Sequence, residues 1–195
     1  MATSLPVTQQ ICSSVPPTSP ATSSAIPISE NFLCYTCQEY VEDLSKIPQE
    51  MLLDAHVRLI VIGQSSYLHI EAFCSLTGYQ HEIYVDPERN IYKILGMTKG
   101  ELYKETASES PHVKSNILVG SIKSMWRAMT SPAFDFQGDP LQQGGALIIG
   151  PGPNVHVAHF DMNRFNQMPI NRLLQLAGMQ VVDFNMPKHA KIIDI

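Results

Sequence analysis

Cys34-Tyr35-Thr36-Cys37 sets two thiols two residues apart, a spacing that closes a small disulfide ring. A helix is expected to begin at or just after Cys34. A thiol at a helix start meets unsatisfied N–H groups and the positive end of the helix dipole, and both stabilise thiolate. Thiolate is the nucleophile toward disulfides and peroxides. Cys34 is therefore the expected attacking sulfur, and Cys37, on the inward helix face, the resolving one. In an intracellular α/β chain this spacing reads as a thioredoxin-like redox motif.

Three other readings stay open. The pair is half of the four ligands a structural zinc site needs. There is no second Cys-x-x-Cys or close His pair, and His156 and His159 fall on opposite faces of an expected strand. Cys37 also suits plain core packing. Finally, the pair is inert if the field of Glu39, Glu42 and Asp43 on the same helix suppresses the thiolate. No metal and no cofactor is expected. Cys74 reads as a core residue and Cys12 as an incidental exposed thiol. His69, His81 and His112 read as surface or capping residues. Gly144-Gly145 marks either a close backbone approach to the site or a simple turn.

The elements that must position this pair follow from periodicity. Cys37, Tyr40, Val41, Leu44 and Ile47 share one helical face, with Pro48 just after. Residues 57–62 suit a strand covered on both faces. Ser65 and Ser66 are N-cap candidates for a helix with Tyr67, Ile70, Phe73 and Thr77 inward, stopped by Gly78. Residues 82–85 form a short strand, and Asp86-Pro87 opens a helix that ends at Gly96. A long connection, 98–143, carries one amphipathic helix with Leu118, Val119, Ile122, Met125, Trp126 and Met129 on a face. Its Lys114, Lys123 and Arg127 read as a solvated face. A hairpin of 146–149 and 155–160 follows, joined by a Gly/Pro-rich loop. Pro169 starts the last helix, which Gly178 stops.

Composition bounds the rest. The 195 residues are 44% hydrophobic and 16% charged, the balance of one globular domain. No apolar run exceeds four residues, far short of the ~20 a membrane helix needs. A net charge of −5 argues against a nucleic-acid partner. Ser, Thr and Pro fill about half of residues 1–31, which therefore read as a disordered tail. That tail resembles neither a secretory signal nor a mitochondrial presequence, so the expected location is the cytoplasm, with the nucleus open. The expected organisation is a tail over 1–31, one domain over 32–180 and a C-terminal tail over 181–195. Oligomeric state is open.

Several separate segments resemble the peroxiredoxin-like 2 family of AhpC/TSA-type antioxidant proteins. They are Phe32-Leu33-Cys34-Tyr35-Thr36-Cys37 with Gln38-Glu39-Tyr40-Val41-Glu42-Asp43-Leu44, then Leu59-Ile60-Val61-Ile62-Gly63-Gln64. Tyr84-Val85-Asp86-Pro87-Glu88-Arg89 and Gln143-Gly144-Gly145 with Gly150-Pro151-Gly152 complete the set. The resemblance spans about 32–180. It implies an α/β, thioredoxin-like fold: a mixed central sheet flanked by helices. It also implies thiol redox chemistry, with a peroxide, a protein thiol or a disulfide as partner. The alternative is a non-catalytic, redox-linked signalling or interaction module on the same fold.

The chain departs from the pattern in three places. Peroxiredoxins proper carry Thr or Ser three residues before the reactive cysteine; here Cys34 precedes Cys37 and Asn31 precedes Cys34. They place an arginine on the strand corresponding to 145–149, where this chain has Gly144-Gly145. Slow reaction with hydrogen peroxide is therefore expected. The central strand that should run into the motif corresponds to 25–31, which has a proline and no long apolar run, so the first strand is expected to be missing or irregular. If present, it belongs between 57–62 and 146–149.

Overall fold

The computed structural model describes residues 8–11, 23–29, 31–97, 99, 139, 142–163 and 165–184. Among these residues six strands make one mixed sheet: β1 (Thr8–Ile11), β2 (Ser23–Ile28), β3 (Val57–Gly63), β4 (Glu82–Val85), β5 (Gly145–Ile149) and β6 (Val155–Phe160), in the order β1-β4-β3-β2-β5-β6. The β2–β3 and β3–β4 pairs are parallel; the others are antiparallel. The helices are α1 (Tyr35–Leu44), α2 (Gln49–Asp54), α3 (Ile70–Thr77), α4 (Asn90–Ile94) and α5 (Ile170–Leu176).

The strand before the motif lies in the expected gap, between β3 and β5. Against β3 its register runs from Ser23 opposite Val57 to Ala25 opposite Leu59, then resumes at Ile28 opposite Ile62. The interruption contains Pro27, which has no N–H to give to a ladder. Against β5 the register is continuous from Ser24 to Ile28. Ser29 N–H extends the contact to the Ile62 carbonyl at 2.7 Å. Within the stretch expected as a tail over 1–31, Thr8–Ile11 and Ser23–Ile28 are strands. A central strand is paid for by two neighbours' unpaired backbone groups, so a weak local pattern suffices.

Alternation along the strands divides the core between the two faces of the sheet. One face carries Ala25, Leu59, Val61, Ala146 and Ile148 under α1, α3 and α5, packed against Tyr40, Val41, Leu44, Phe73, Leu173 and Leu174. The other carries Ile26, Ile28, Leu147 and Ile149 against Ile91, Tyr92, Leu95 and Met97 around α4. The α1 residues expected to face inward are buried, Ile47 included.

Three local expectations shift. The chain re-enters helix directly after Pro48, giving α2, since proline stops one helix and also suits the start of the next. Asp86 does not open a helix at Pro87. Its Oδ2 accepts the Ile91 N–H at 2.7 Å, so α4 begins only at Asn90, after Arg89 in the left-handed region at φ 59°. At the C-terminal side, Asn171 holds both backbone groups of Val182, at 2.8 and 2.9 Å, so the ordered contacts reach past residue 181. The amphipathic helix expected over 118–129, with Lys114, His112 and Trp126, lies outside the described residues, as does Cys12.

Candidate thiol site

The turn from β2 into α1 is held by side chains. Ser65 Oγ accepts the Phe32 N–H at 3.1 Å, Asn31 Oδ1 accepts the Leu33 N–H at 3.0 Å, and Gln38 Nε2 donates to the Phe32 carbonyl at 2.6 Å. The Phe32 ring stacks on Phe73 with centroids 4.2 Å apart. Gly63 lies against that ring, and a Cβ there would overlap it. These ties set Cys34 as the N-cap residue of α1, with extended backbone at φ −64° and ψ 117°. Of the two candidate serines, Ser66 caps the 3₁₀ turn at Tyr67–His69, while Ser65 is spent on Phe32.

Both sulfurs are free thiols and both are buried, Cys34 at 9% exposure and Cys37 at 2%. The Cys34 Sγ is 3.0 Å from Thr36 Oγ1. Its hydrogen bond to Cys37, together with burial, pushes the Cys34 thiol well above the usual thiol range. This direction is opposite to the one expected from the helix start alone. The helix N-terminus favours thiolate there, but burial and the neighbouring sulfur oppose it more strongly. Gln167 Nε2 donates to the Cys37 sulfur at 3.8 Å, while the Thr36 hydroxyl and the Cys37 backbone N–H favour thiolate at Cys34 without outweighing what raises it. The acidic field assumed for α1 is also reduced, since buried Asp43 is paired with Lys46 at 2.7 Å.

Cys37 lines a small cavity of about 20 Å³ on the α1 face of the sheet. Pro27, Val41, Val61 and Met168 give it apolar walls, and Ser29, Asp161 and Gln167 give it polar ones. Burial pushes the Asp161 carboxyl above its usual range, against the pull of His159. His159 Nε2 lies 3.2 Å from Asp161 Oδ1 and 3.0 Å from the Asn166 carbonyl. The hydrogen bond to Asp161 pushes the His159 imidazole above its usual range. Gly145 lines the cavity, as one of its two expected readings had it, and also lies against the His159 carbonyl on β6.

The remaining candidates separate from the thiols. Cys74 packs against the core as expected and is also disulfide-bonded, to neither Cys34 nor Cys37. His156 is exposed and His159 half-buried, on opposite faces of β6. His81 is buried, its ring nitrogens 2.9 Å from Gln49 Oε1 and 3.1 Å from the Ile47 carbonyl, so it ties α2 to the sheet. Among the described residues no three His, Cys, Asp or Glu side chains converge, and no helix is long and apolar enough to cross a membrane. Sequence reasoning missed Ser29, Asp161 and Gln167, which carry no motif and meet only through the fold.

Comparison with known proteins places the chain. The family model described as AhpC/TSA antioxidant enzyme matches residues 43–163. Peroxiredoxin-like 2C of Bos taurus is 68% identical over 156 residues, covering 79% of this chain and 67% of the relative. Its Homo sapiens counterpart is 65% identical over 156 residues, covering 79% and 68%. The chain belongs to the peroxiredoxin-like AhpC/TSA family. A solved structure of the Xanthomonas campestris bacterioferritin comigratory protein is similar at TM-score 0.51 and 7% identity, covering 81% of this chain and 77% of that one. At that identity the likeness is one of fold, the thioredoxin-like sheet with flanking helices. Family and fold together make this a thiol-redox type of protein.

Proposed function

We propose that the chain is a thiol oxidoreductase in which Cys37 is oxidised first and Cys34 resolves it, the reverse of the order the sequence suggests. The observation that carries this reading is the cavity: Cys37 lines it and receives Gln167 Nε2, while Cys34 does not line it, and its hydrogen bond to Cys37 and burial push its thiol up. Toward a peroxide, the Cys37 thiolate attacks one oxygen. An S–O bond forms, the O–O bond breaks, and the leaving oxygen takes a proton. The Cys34 sulfur then displaces water from the sulfenic acid and closes the 34–37 disulfide. An external dithiol restores both thiols. A protein disulfide in place of the peroxide gives a mixed disulfide at Cys37 and the same end state.

Among the described residues no Lys or Arg lines the cavity wall. A peroxide oxygen therefore meets no fixed positive charge as it departs, and hydrogen peroxide is a slow substrate. The test is stoichiometric. Reduced protein given one equivalent of peroxide should consume it slowly, lose two thiols and show a 34–37 link by mass mapping, reversed by a dithiol. Peroxide consumption with both thiols still free, or thiol loss without that link, would set the reading aside in favour of a non-catalytic module on the same fold.

A further inference from the structure

Cys37 is 2% exposed, so the proton it gives up on reacting has no direct path to solvent. The small cavity beside it offers one. Ser29 and Gln167 line that space, each 8% exposed, and Ser29 Oγ and Gln167 Oε1 are buried atoms without a hydrogen-bond partner. Buried polar atoms are ordinarily satisfied by protein or by ordered water. A space of about 20 Å³ suits one water, which needs roughly 10–15 Å³ and two to four polar partners. Gln167 ties that space to the thiol, since its Nε2 donates to the Cys37 sulfur at 3.8 Å and its Oε1 is the unpartnered atom.

Asp161, 4% exposed, supplies the carboxyl among the described residues of the wall. It lies against the helix that carries Cys37: burial, and then the Asp161 charge, push up the hydroxyl of Tyr40, one turn further along α1. That hydroxyl donates to the Met168 carbonyl at 2.8 Å, so it is no donor to Asp161. From β6, His159 Nε2 reaches Asp161 Oδ1 at 3.2 Å and the Asn166 carbonyl at 3.0 Å. A carbonyl only accepts, so Nε2 keeps its hydrogen in both charge states and the ring titrates at Nδ1. His159 therefore steadies the carboxylate without taking a proton from it. Cys37, Tyr40 and His159 are the described titratable groups that face Asp161 from α1 and β6. An ordinary thiol and an ordinary carboxyl differ by about four to five pKa units, a wide gap for proton exchange. Burial raises the Asp161 carboxyl against the pull of His159 and narrows that gap.

We propose that Asp161 accepts the Cys37 proton through a single water held by Ser29 and Gln167, and returns it to the leaving oxygen of the peroxide. The inference deepens the thiol-oxidoreductase reading and rests on it. The Cys37 S–H bond breaks as the water takes that hydrogen and gives one of its own to the Asp161 carboxylate. The thiolate attacks the peroxide, the S–O bond forms and the O–O bond breaks. The departing oxygen takes the proton back through the same water, leaving sulfenic acid, one water formed and the carboxylate restored. Asp161 acts through the water and is a positioning residue for the proton.

Two measurements test it. The first follows the Asp161 side-chain carboxyl carbon by NMR against pH in reduced full-length protein. Groups that share a proton titrate in coupled steps. The curve should have two steps in the wild type and in Cys34→Ser, and one in Cys37→Ser. The second compares two reactions of Cys37 at pH 7 in Asp161→Asn, checked for a cooperative melt. Hydrogen peroxide needs a proton on its leaving oxygen, and its rate should fall roughly a hundredfold. Iodoacetamide releases iodide, which needs none, and its rate should hold or rise because a nearby negative charge is gone. Ser29→Ala should slow the peroxide reaction alone, by a smaller factor. A one-step carboxyl titration unaffected by Cys37→Ser, or equal slowing of both reactions in folded Asp161→Asn, would overturn the proposal. If Asp161→Asn does not melt cooperatively, the carboxyl titration decides. Absence of the 34–37 link in the wild type would sink the redox reading, and the carboxyl titration would still show whether Asp161 and Cys37 share a proton.

Discussion

The thiol pair illustrates how position on a helix competes with surroundings. Cys34 has the N-terminal placement that lowers a thiol pKa, yet its sulfur is buried and hydrogen-bonded to a second sulfur, and both push it up. Thr36 Oγ1, 3.0 Å away, is the counterweight that lowers it. A group whose pKa stands above the usual range is mostly protonated at neutral pH, and its thiolate fraction grows about tenfold per pH unit until the pKa is passed. Residue-resolved alkylation of the reduced protein should therefore find Cys34 slow at pH 7 and still accelerating beyond pH 9. A plateau below pH 8 would show that the helix terminus dominates after all. This balance was not legible in the sequence, because Cys-x-x-Cys spacing fixes the ring that can close but not how deeply each sulfur is buried or which one faces the cavity. Asp161 and Gln167 were less legible still, since their meeting with Cys37 is made by the β6–α5 connection.

At the scale of elements, what periodicity can express was readable. β4 and β6 match their expected bounds, β3 and α5 start where apolar spacing put them, and Gly78, Gly96 and Gly178 adopt positive φ at their helix ends. β2 was not, because its stability comes from partners on both sides rather than from its own composition. Asp86 was misplaced for a related reason: its carboxylate caps Ile91 across a turn instead of the residues beside it. Gly145 is the point where two strands constrain each other, since a Cβ there would strike the His159 carbonyl and crowd Met97. Backbone cannot yield as a flexible side chain would. Gly145→Ala should cost about 1–3 kcal/mol, seen as a lower urea midpoint with an unchanged slope. An unchanged midpoint would mean that the β5–β6 pair tolerates a shift the geometry does not suggest.

For the whole molecule, the strand between β3 and β5 decides whether there is a domain at all. β2 supplies the ladder to both neighbours and leads through Ser29 and Phe32 into the thiol turn, so fold and site share one segment. Without it two strand edges would lie buried and unpaired at roughly 1–3 kcal/mol per group, against about 5–15 kcal/mol of net stability in a domain. A chain lacking residues 1–28 should show no cooperative thermal transition by circular dichroism. A sharp melt near that of the full chain would show that the sheet closes by another route. The central claim is that the cavity-facing sulfur is oxidised first and its partner resolves it. Trapping sulfenic acid with a dimedone-type reagent during peroxide treatment of Cys34→Ser and Cys37→Ser tests it most directly. The account predicts a stable adduct on Cys37 in Cys34→Ser and none on Cys34 in Cys37→Ser; an adduct on Cys34 with Cys37 unreacted would contradict it.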